Sequence, residues 1–216
     1  MDKQRQASKS LIIMTVGTSL LRNSGGDKQK NCCYLGDRET IIKELKTRPE
    51  NVLGHKNKMK EHLFKYVKIV PLEVNLKYRE ESGKDNLDLL PQEISYLGLL
   101  GKKKEGKDWQ GDVVMLHSAS TEGKFCAEVI EMFLREEGGN QKWLDHYDKI
   151  HVKQIDGLTV ETPANGEEVD ADSFEKEGVP NLINLLMETV DNNPRGEYYE
   201  VIINFTGGFK GLIPYT

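Results

Sequence analysis

Three short segments of the sequence combine glycine, hydroxyl and lysine side chains in a way that suits phosphate binding. They are Gly17-Thr18-Ser19, Ser118-Ala119-Ser120-Thr121 and Thr206-Gly207-Gly208-Phe209-Lys210. Glycines let the backbone approach a phosphate closely, amides and hydroxyls donate hydrogen bonds to it, and a lysine adds a positive charge. Together these residues predict a site for a phosphorylated or nucleotide-like ligand. Small residues also suit tight turns, so a structural role is the alternative for any one segment.

Other residues that could do chemistry give weaker signals. The histidines have no metal-ligand spacing and the cysteines have no zinc spacing, so the sequence predicts neither a metal nor a cofactor. The patterns G-x-G-x-x-G and G-x-x-x-x-G-K-[ST] are absent, which excludes the Rossmann dinucleotide fingerprint and the Walker loop. His117 ends a predicted strand beside the candidate site. It is either a general base or, as is more common, a packed strand-end side chain.

An apolar run that predicts a buried strand precedes each of the three segments. Strands are predicted at residues 11–16, 66–70, 112–117, 149–155 and 198–205, and helices at residues 37–47, 91–100, 121–137 and 179–190. This alternation predicts a Rossmann-like α/β fold with a largely parallel central sheet and helices on both faces. In such a sheet ligands bind at the carboxyl ends of the strands, near the point where strand order reverses.

Several charged residues are expected to be exposed. Residues 50–61 are charged without apolar periodicity and predict a mobile insertion whose role the sequence does not define. The three consecutive lysines at residues 102–104 predict a solvated loop. Glu122 and Glu128 lie on a helix that should be partly exposed, where carboxylates are more often solvated than catalytic.

The composition is that of an acidic intracellular protein. The 216 residues include 30 Lys and Arg against 35 Asp and Glu, which gives a net charge of −5. This balance excludes binding of duplex nucleic acid by bulk charge and leaves a local phosphate site possible. No apolar run reaches the length of about 18 residues that predicts a membrane span. The cysteines indicate reduced thiols, and a cytoplasmic location is expected.

The first and last segments, with their neighbours, resemble the paired motifs of CARF domains, the CRISPR-associated Rossmann-fold sensors of type III systems. The motifs are Thr15-Val16-Gly17-Thr18-Ser19-Leu20-Leu21-Arg22-Asn23 and Asn204-Phe205-Thr206-Gly207-Gly208-Phe209-Lys210-Gly211. The middle segment, Leu116-His117-Ser118-Ala119-Ser120-Thr121-Glu122-Gly123, is similar to the middle loop of the family. The resemblance covers residues 11–212, and the two end motifs are specific as a pair.

The resemblance implies a homodimer that binds a cyclic oligoadenylate, a tetra- or hexa-adenylate ring, across its two-fold axis. Such a ring suits a symmetric dimer, which presents each turn twice. The implied ligand contacts are Gly17, Thr18, Ser19, Ser118, Ala119, Ser120, Thr121, Thr206, Gly207, Gly208, Phe209 and Lys210. In family members that cut the ring without metal, a ribose 2′-hydroxyl attacks the neighbouring phosphate. Here Ser19 and Lys210 would position these groups and stabilise the developing charge.

Three functions are compatible with these residues. The first is a single sensor domain over residues 1–216 that regulates an effector. An effector domain is then expected downstream, because residues 209–213 have the pattern of a helix that has only begun. The second is a stand-alone ring nuclease. The third is another nucleotide-binding α/β enzyme, which would prefer a linear nucleotide.

Overall fold

A parallel β-sheet forms the centre of the structure, a computed structural model that describes residues 9–18, 20–21, 38–69, 92–104, 109–136, 146–158, 174–192 and 197–205. The described strands are β1 (Lys9–Thr15), β2 (Gln110–Ser118), β3 (Tyr147–Ile155) and β4 (Tyr198–Asn204). Their order is β3-β2-β1-β4, and each described pairing is parallel. The prediction of a largely parallel sheet is confirmed.

The β1 strand lies between β2 and β4 in the described sheet, and both of its faces are buried. Ile13 pairs with Val114 on one side and with Ile203 on the other. Ile12 and Leu11 point to opposite faces and belong to separate hydrophobic clusters. A strand covered on both faces needs a continuous apolar run rather than an alternating one, which explains the sequence of this segment.

Helices cover both faces of the sheet. They are α1 (Arg38–Thr47), α2 (Val52–Ile69), α3 (Gln92–Lys104), α4 (Thr121–Arg135) and α5 (Val179–Asp191). The first four contribute side chains to the cluster around Ile12, and α5 packs on the other face against Leu11 and Ile13. The predicted α/β fold with helices on both faces is therefore confirmed. None of the described helices is long and apolar enough to cross a membrane.

The α2 helix corrects two sequence-based predictions. After a 3-10 turn at Pro49–Asn51, α2 runs without a break to Ile69. The prediction of a mobile insertion at residues 50–61 is therefore wrong. The predicted strand at residues 66–70 is also wrong, since residues 66–69 are helical and residue 70 lies outside the described residues.

Packing against α1 and α4 explains why this charged segment is helical. Met59 and Leu63, one helical turn apart, are fully buried and give α2 an apolar side. Lys56 Nζ lies 2.6 Å from Glu128 Oε2 on α4, and His55 Nε2 lies 2.7 Å from Glu44 Oε2 on α1. Charged residues that suggested a solvated segment thus pair with neighbouring helices.

The C-terminal end of α3 corrects another prediction. Residues 102–104 form the last turn of α3 and are not a solvated loop. Lys104 Nζ donates to Glu200 Oε1 at 3.0 Å and to the Tyr199 hydroxyl at 2.7 Å, and both acceptors belong to β4. The same ammonium group lies 5.5 Å from the centroid of the Trp109 ring. These contacts fix the end of α3 against the edge of the sheet.

Candidate ligand-binding site

The order of the described strands reverses between β1 and β4. β2 and β3 lie on one side of β1, whereas β4 lies on the other. In open parallel sheets a crevice forms at the carboxyl ends of the two strands beside such a reversal, and ligands bind there. Gly17 and Thr18 follow the carboxyl end of β1, and Phe205 follows that of β4. The first predicted segment therefore lies at the reversal, and the last one begins directly after Phe205.

The turn after β1 is held by an acidic side chain from α3. The backbone amide of Gly17 donates to Glu93 Oε1 at 2.9 Å. Glu93 lies in the first turn of α3 and is only 1% exposed. Burial raises the pKa of the Glu93 carboxyl above its ordinary value, an effect that hydrogen bonds from backbone amides oppose. The Gly17 amide is thus already used within the protein.

The turn between β2 and α4 is organised by two serines. Ser120 is the N-cap residue of α4, and its Oγ accepts a hydrogen bond from the Gly123 amide at 3.0 Å. The hydroxyls of Ser118 and Ser120 lie 2.8 Å apart and share a hydrogen bond. A Cβ atom at Gly123 would lie 2.5 Å from Ser118 Oγ, so glycine is needed there for space. Ala119 is exposed and Thr121 is half-buried beside these hydroxyls.

Buried oxygens without partners are found at this edge of the sheet. Within the described part of the chain, Thr15 Oγ1, Glu93 Oε2 and Glu122 Oε2 are buried and have no hydrogen-bond partner. Thr15 is the last residue of β1, and the two glutamates lie in the first turns of α3 and α4. Buried polar atoms are almost always paired, so such atoms indicate where a ligand or water completes the hydrogen bonds.

Glu122 is another correction of the sequence-based expectation. Its side chain is 10% exposed and its Oε1 lies 3.5 Å from Lys46 Nζ on α1. The expectation that it is a solvated carboxylate is wrong, because α1 packs beside the start of α4. Glu128 is half-buried and, as described above, paired with Lys56.

The opposite edge of the sheet, at the amino ends of the strands, is well paired. Asp112 accepts from the backbone amide of Lys149 at 3.1 Å and forms an ion pair with Lys9 at 2.9 Å. Ser10 Oγ donates to Glu200 Oε1 at 2.7 Å. The contrast between the two edges favours the carboxyl edge as the ligand site.

An open groove of about 480 Å³ lies between α4 and β3, away from the strand reversal. It is lined by charges of both signs, and its two carboxylates already have partners. Glu128 pairs with Lys56, and Glu131 pairs with Arg135. Because this groove lacks a surplus of positive charge and is not lined by residues of β1 or β4, we place the candidate site at the reversal.

His117 borders this groove at the end of β2. Its Nδ1 lies 2.6 Å from the Ser118 carbonyl oxygen. A carbonyl only accepts, so Nδ1 carries the proton and donates, and Nε2 keeps the lone pair. Burial lowers the pKa of the His117 imidazole below its ordinary value, which favours the neutral ring. This environment fits the interpretation of His117 as a packed strand-end residue.

The described residues include about half of the predicted ligand contacts. Gly17, Thr18 and the middle segment from Ser118 to Thr121 lie at the carboxyl ends of β1 and β2. Ser19 and the last segment, Thr206, Gly207, Gly208, Phe209 and Lys210, lie outside the described residues. Among the residues that the structure describes, no group of three or more His, Cys, Asp or Glu side chains could hold a metal ion.

Comparison with known proteins gives one family. A family model described as CRISPR-associated protein (Cas_APE2256) matches residues 93–216, more than half of the chain. The chain belongs to this family. Membership links this CRISPR-associated protein to CRISPR defence. The match begins at Glu93, the residue that holds Gly17, and spans β2, β3 and β4. Comparison with curated proteins finds no match.

In this CRISPR-associated protein, the sequence-based predictions missed one residue of the candidate site, Glu93. A signal for its burial is present in the sequence, because Glu93 lies one helical turn before Leu97 on the apolar side of α3. A carboxylate on the apolar side of a helix suggests a buried acidic group. Its partner, the Gly17 amide, lies 76 residues away in the sequence and becomes evident only in the folded chain.

Proposed function

We propose that this CRISPR-associated protein is a sensor of the CARF type. It binds a cyclic oligoadenylate, a tetra- or hexa-adenylate ring, and regulates an attached effector. The observation that carries the proposal is the strand reversal between β1 and β4. The two end motifs of the sequence follow these two strands, at the position where parallel α/β sheets bind nucleotides.

The described chemistry of this edge suits an adenylate ring. The Ser118 and Ser120 hydroxyls beside the start of α4 share one hydrogen bond, which leaves one hydroxyl proton as a donor for a phosphate oxygen, and the N-terminus of the helix favours negative charge. The buried Glu122 Oε2 has no partner among the described residues and is an acceptor. Ribose hydroxyls and adenine amino groups offer donors to such an acceptor. A ring of adenylates therefore supplies both kinds of group that this edge needs.

A homodimer is part of the proposal. A cyclic oligoadenylate with internal two-fold symmetry presents the same phosphates to each half of a symmetric dimer. Each protomer would contribute the turn after β1, the Ser118–Thr121 turn and the last segment, so every contact is made twice. An overall charge of −5 does not oppose this, because a compact ring needs oriented amides, hydroxyls and a few lysines rather than a broad basic face.

Titration of the purified protein with cyclic tetra-adenylate and cyclic hexa-adenylate tests the proposal, with linear oligoadenylate as the control ligand. Calorimetry measures binding, and chromatography of the incubated mixture detects cleavage products. Binding of a ring without products supports the sensor. Metal-independent cleavage would instead support a ring nuclease, and Ser19→Ala should then slow cleavage while some binding is kept. Preference for the linear ligand, or no binding, would contradict the proposal.

Lys210→Ala is the variant that tests the last motif. Loss of a charge-assisted hydrogen bond should weaken binding by about 1.5–3 kcal/mol. The loss is doubled in a dimer, because each ring meets two copies of Lys210. Lys103→Ala is the matched control, since exposed Lys103 lies in the last turn of α3. Unchanged affinity in Lys210→Ala, measured by the same calorimetry, would remove Lys210 from the site.

A further inference from the structure

The Glu93 carboxyl is an unusual group at the candidate site. It is 1% exposed, its Oε1 accepts from the Gly17 amide at 2.9 Å, and its Oε2 has no partner among the described residues. Burying a carboxyl with an unpaired oxygen is costly, so a residue of this kind is seldom explained by helix packing alone. An apolar side chain at position 93 would be buried together with Ile94 and Leu97 on α3 at a lower cost in free energy.

The effect of Glu93 on the turn follows from the position of its partner. Gly17 is the second residue after β1, and none of the described strands pairs with it. The preceding residue, Val16, still donates its amide to the Leu116 carbonyl at 2.8 Å. The hydrogen bond from the Gly17 amide to Glu93 is therefore the next contact along the chain that fixes the backbone. Thr18 is the residue that follows Gly17.

We propose that Glu93 is a positioning residue of the ligand site, which holds the Gly17 amide and thereby sets the backbone conformation of the Gly17-Thr18 turn. This inference rests on the proposed function, because it assigns that turn to ligand binding. It also changes the role of Gly17. The Gly17 amide donates to Glu93 and is not available to a phosphate, so the contribution of the turn to ligand binding starts at Thr18.

Three variants and two measurements test this role. Glu93→Gln keeps an oxygen that can accept from the Gly17 amide, whereas Glu93→Ala removes it. Leu97→Ala is the matched control, because Leu97 is fully buried in α3 and is not bonded to Gly17 through its side chain. The first measurement is the NMR resonance and hydrogen exchange of the Gly17 amide in the free protein. The second is the affinity for cyclic tetra-adenylate and cyclic hexa-adenylate.

Glu93→Ala should shift the Gly17 amide resonance, speed its exchange and weaken ring binding about tenfold or more, which corresponds to about 1.4 kcal/mol. Glu93→Gln should restore both properties to near the wild-type values. Leu97→Ala should lower stability while leaving the Gly17 resonance and the affinity of the folded protein unchanged. Rescue by glutamine distinguishes positioning from a purely structural role of the carboxyl.

The proposal is overturned if Glu93→Ala leaves the Gly17 resonance and the affinity unchanged, or if Leu97→Ala reproduces both effects. If Glu93→Ala does not fold, Glu93→Asp takes its place, since its carboxyl is one methylene shorter and should lose the same contact. If the wild-type protein binds neither ring, the proposed function is wrong. In that case the Gly17 resonance of the free variants still determines whether Glu93 holds the turn.

Discussion

Glu93 connects the stability of the protein to pH. Burial raises the pKa of its carboxyl above the ordinary value of 4.5, so the folded protein binds the Glu93 proton more tightly than the unfolded chain does. The stabilising contribution is complete below the unfolded pKa and is lost as the pH rises through the folded pKa. A buried carboxyl of this kind is therefore best tolerated as the neutral acid.

Glu93→Gln should remove this dependence, because an amide does not titrate. We expect the variant to gain stability relative to the wild type as the pH rises above about 4.5. The free energy of unfolding, measured with urea between about pH 5 and about pH 8, gives the difference at each pH. Glu131→Gln, on the half-buried side of α4, is the control. A difference between Glu93→Gln and wild type that stays constant with pH would contradict the assigned cause.

The pKa of His117 is shifted in the opposite direction to that of Glu93. Burial lowers the pKa of its imidazole below the ordinary value of 6.5, because the charged ring is poorly solvated. The Nδ1 proton is donated to the Ser118 carbonyl at 2.6 Å. NMR titration of the imidazole resonances should give a midpoint below 6.5 and a neutral Nδ1–H tautomer at pH 7. A midpoint above 6.5 would contradict this environment.

At the scale of the elements, the packing of α4 is determined by its apolar side, and its start is determined by its N-cap residue. Its buried side chains recur at helical spacing and include Phe125, Val129 and Phe133. Its N-cap hydroxyl, Ser120 Oγ, accepts from the Gly123 amide and shares a hydrogen bond with Ser118. The start of the helix and the predicted ligand turn are thus the same residues.

Ser120→Ala should lower the free energy of unfolding by about 1 kcal/mol, the usual cost of losing an N-cap hydroxyl. The Ser118 hydroxyl also loses its neighbour, which adds to the effect. Ser120→Thr keeps a hydroxyl acceptor and should stay much closer to wild type. Urea denaturation of the two variants gives the comparison. Equal stability of Ser120→Ala and wild type would show that the cap contributes little.

At the scale of the whole molecule, the outer strand β4 exposes an apolar strip on one face. Tyr199, Val201 and Ile203 are between 43% and 48% exposed, and the register places Val201 and Ile203 on the same face as Leu11 and Ile13. The proposed dimer uses the carboxyl edge of the sheet instead. The strip on β4 is therefore an alternative contact surface that any test of oligomeric state has to separate from the proposed one.

Light scattering should show a dimer with or without a cyclic oligoadenylate. Val201→Ser should leave the dimer intact, because β4's exposed face is not the proposed interface. A monomer under both conditions would contradict the proposed arrangement. Loss of the dimer in Val201→Ser would show that the interface is the apolar strip on β4 instead.

The sequence by itself determined the fold class and the placement of the first two candidate segments directly after strands. Short apolar runs that end in glycine or hydroxyl residues placed β1 and β2, because a strand buried on both faces must be apolar throughout. The short run Val201-Ile202-Ile203 placed β4, although this strand leaves part of one face exposed. The spacing of Phe125, Val129 and Phe133 placed α4 for the equally local reason of helical periodicity. The position of the candidate segments after strands was therefore predictable from local pattern.

Only the tertiary structure decided features that depend on contacts between distant residues. The helical state of residues 66–69 follows from the continuation of α2, since a short apolar run fits a strand and a helix equally well. Lys104 is fixed by Tyr199 and Glu200 on β4, and the Gly17 amide by Glu93. A side chain's burial and partners depend on which elements pack together, and that is set by the whole chain rather than by its local spacing.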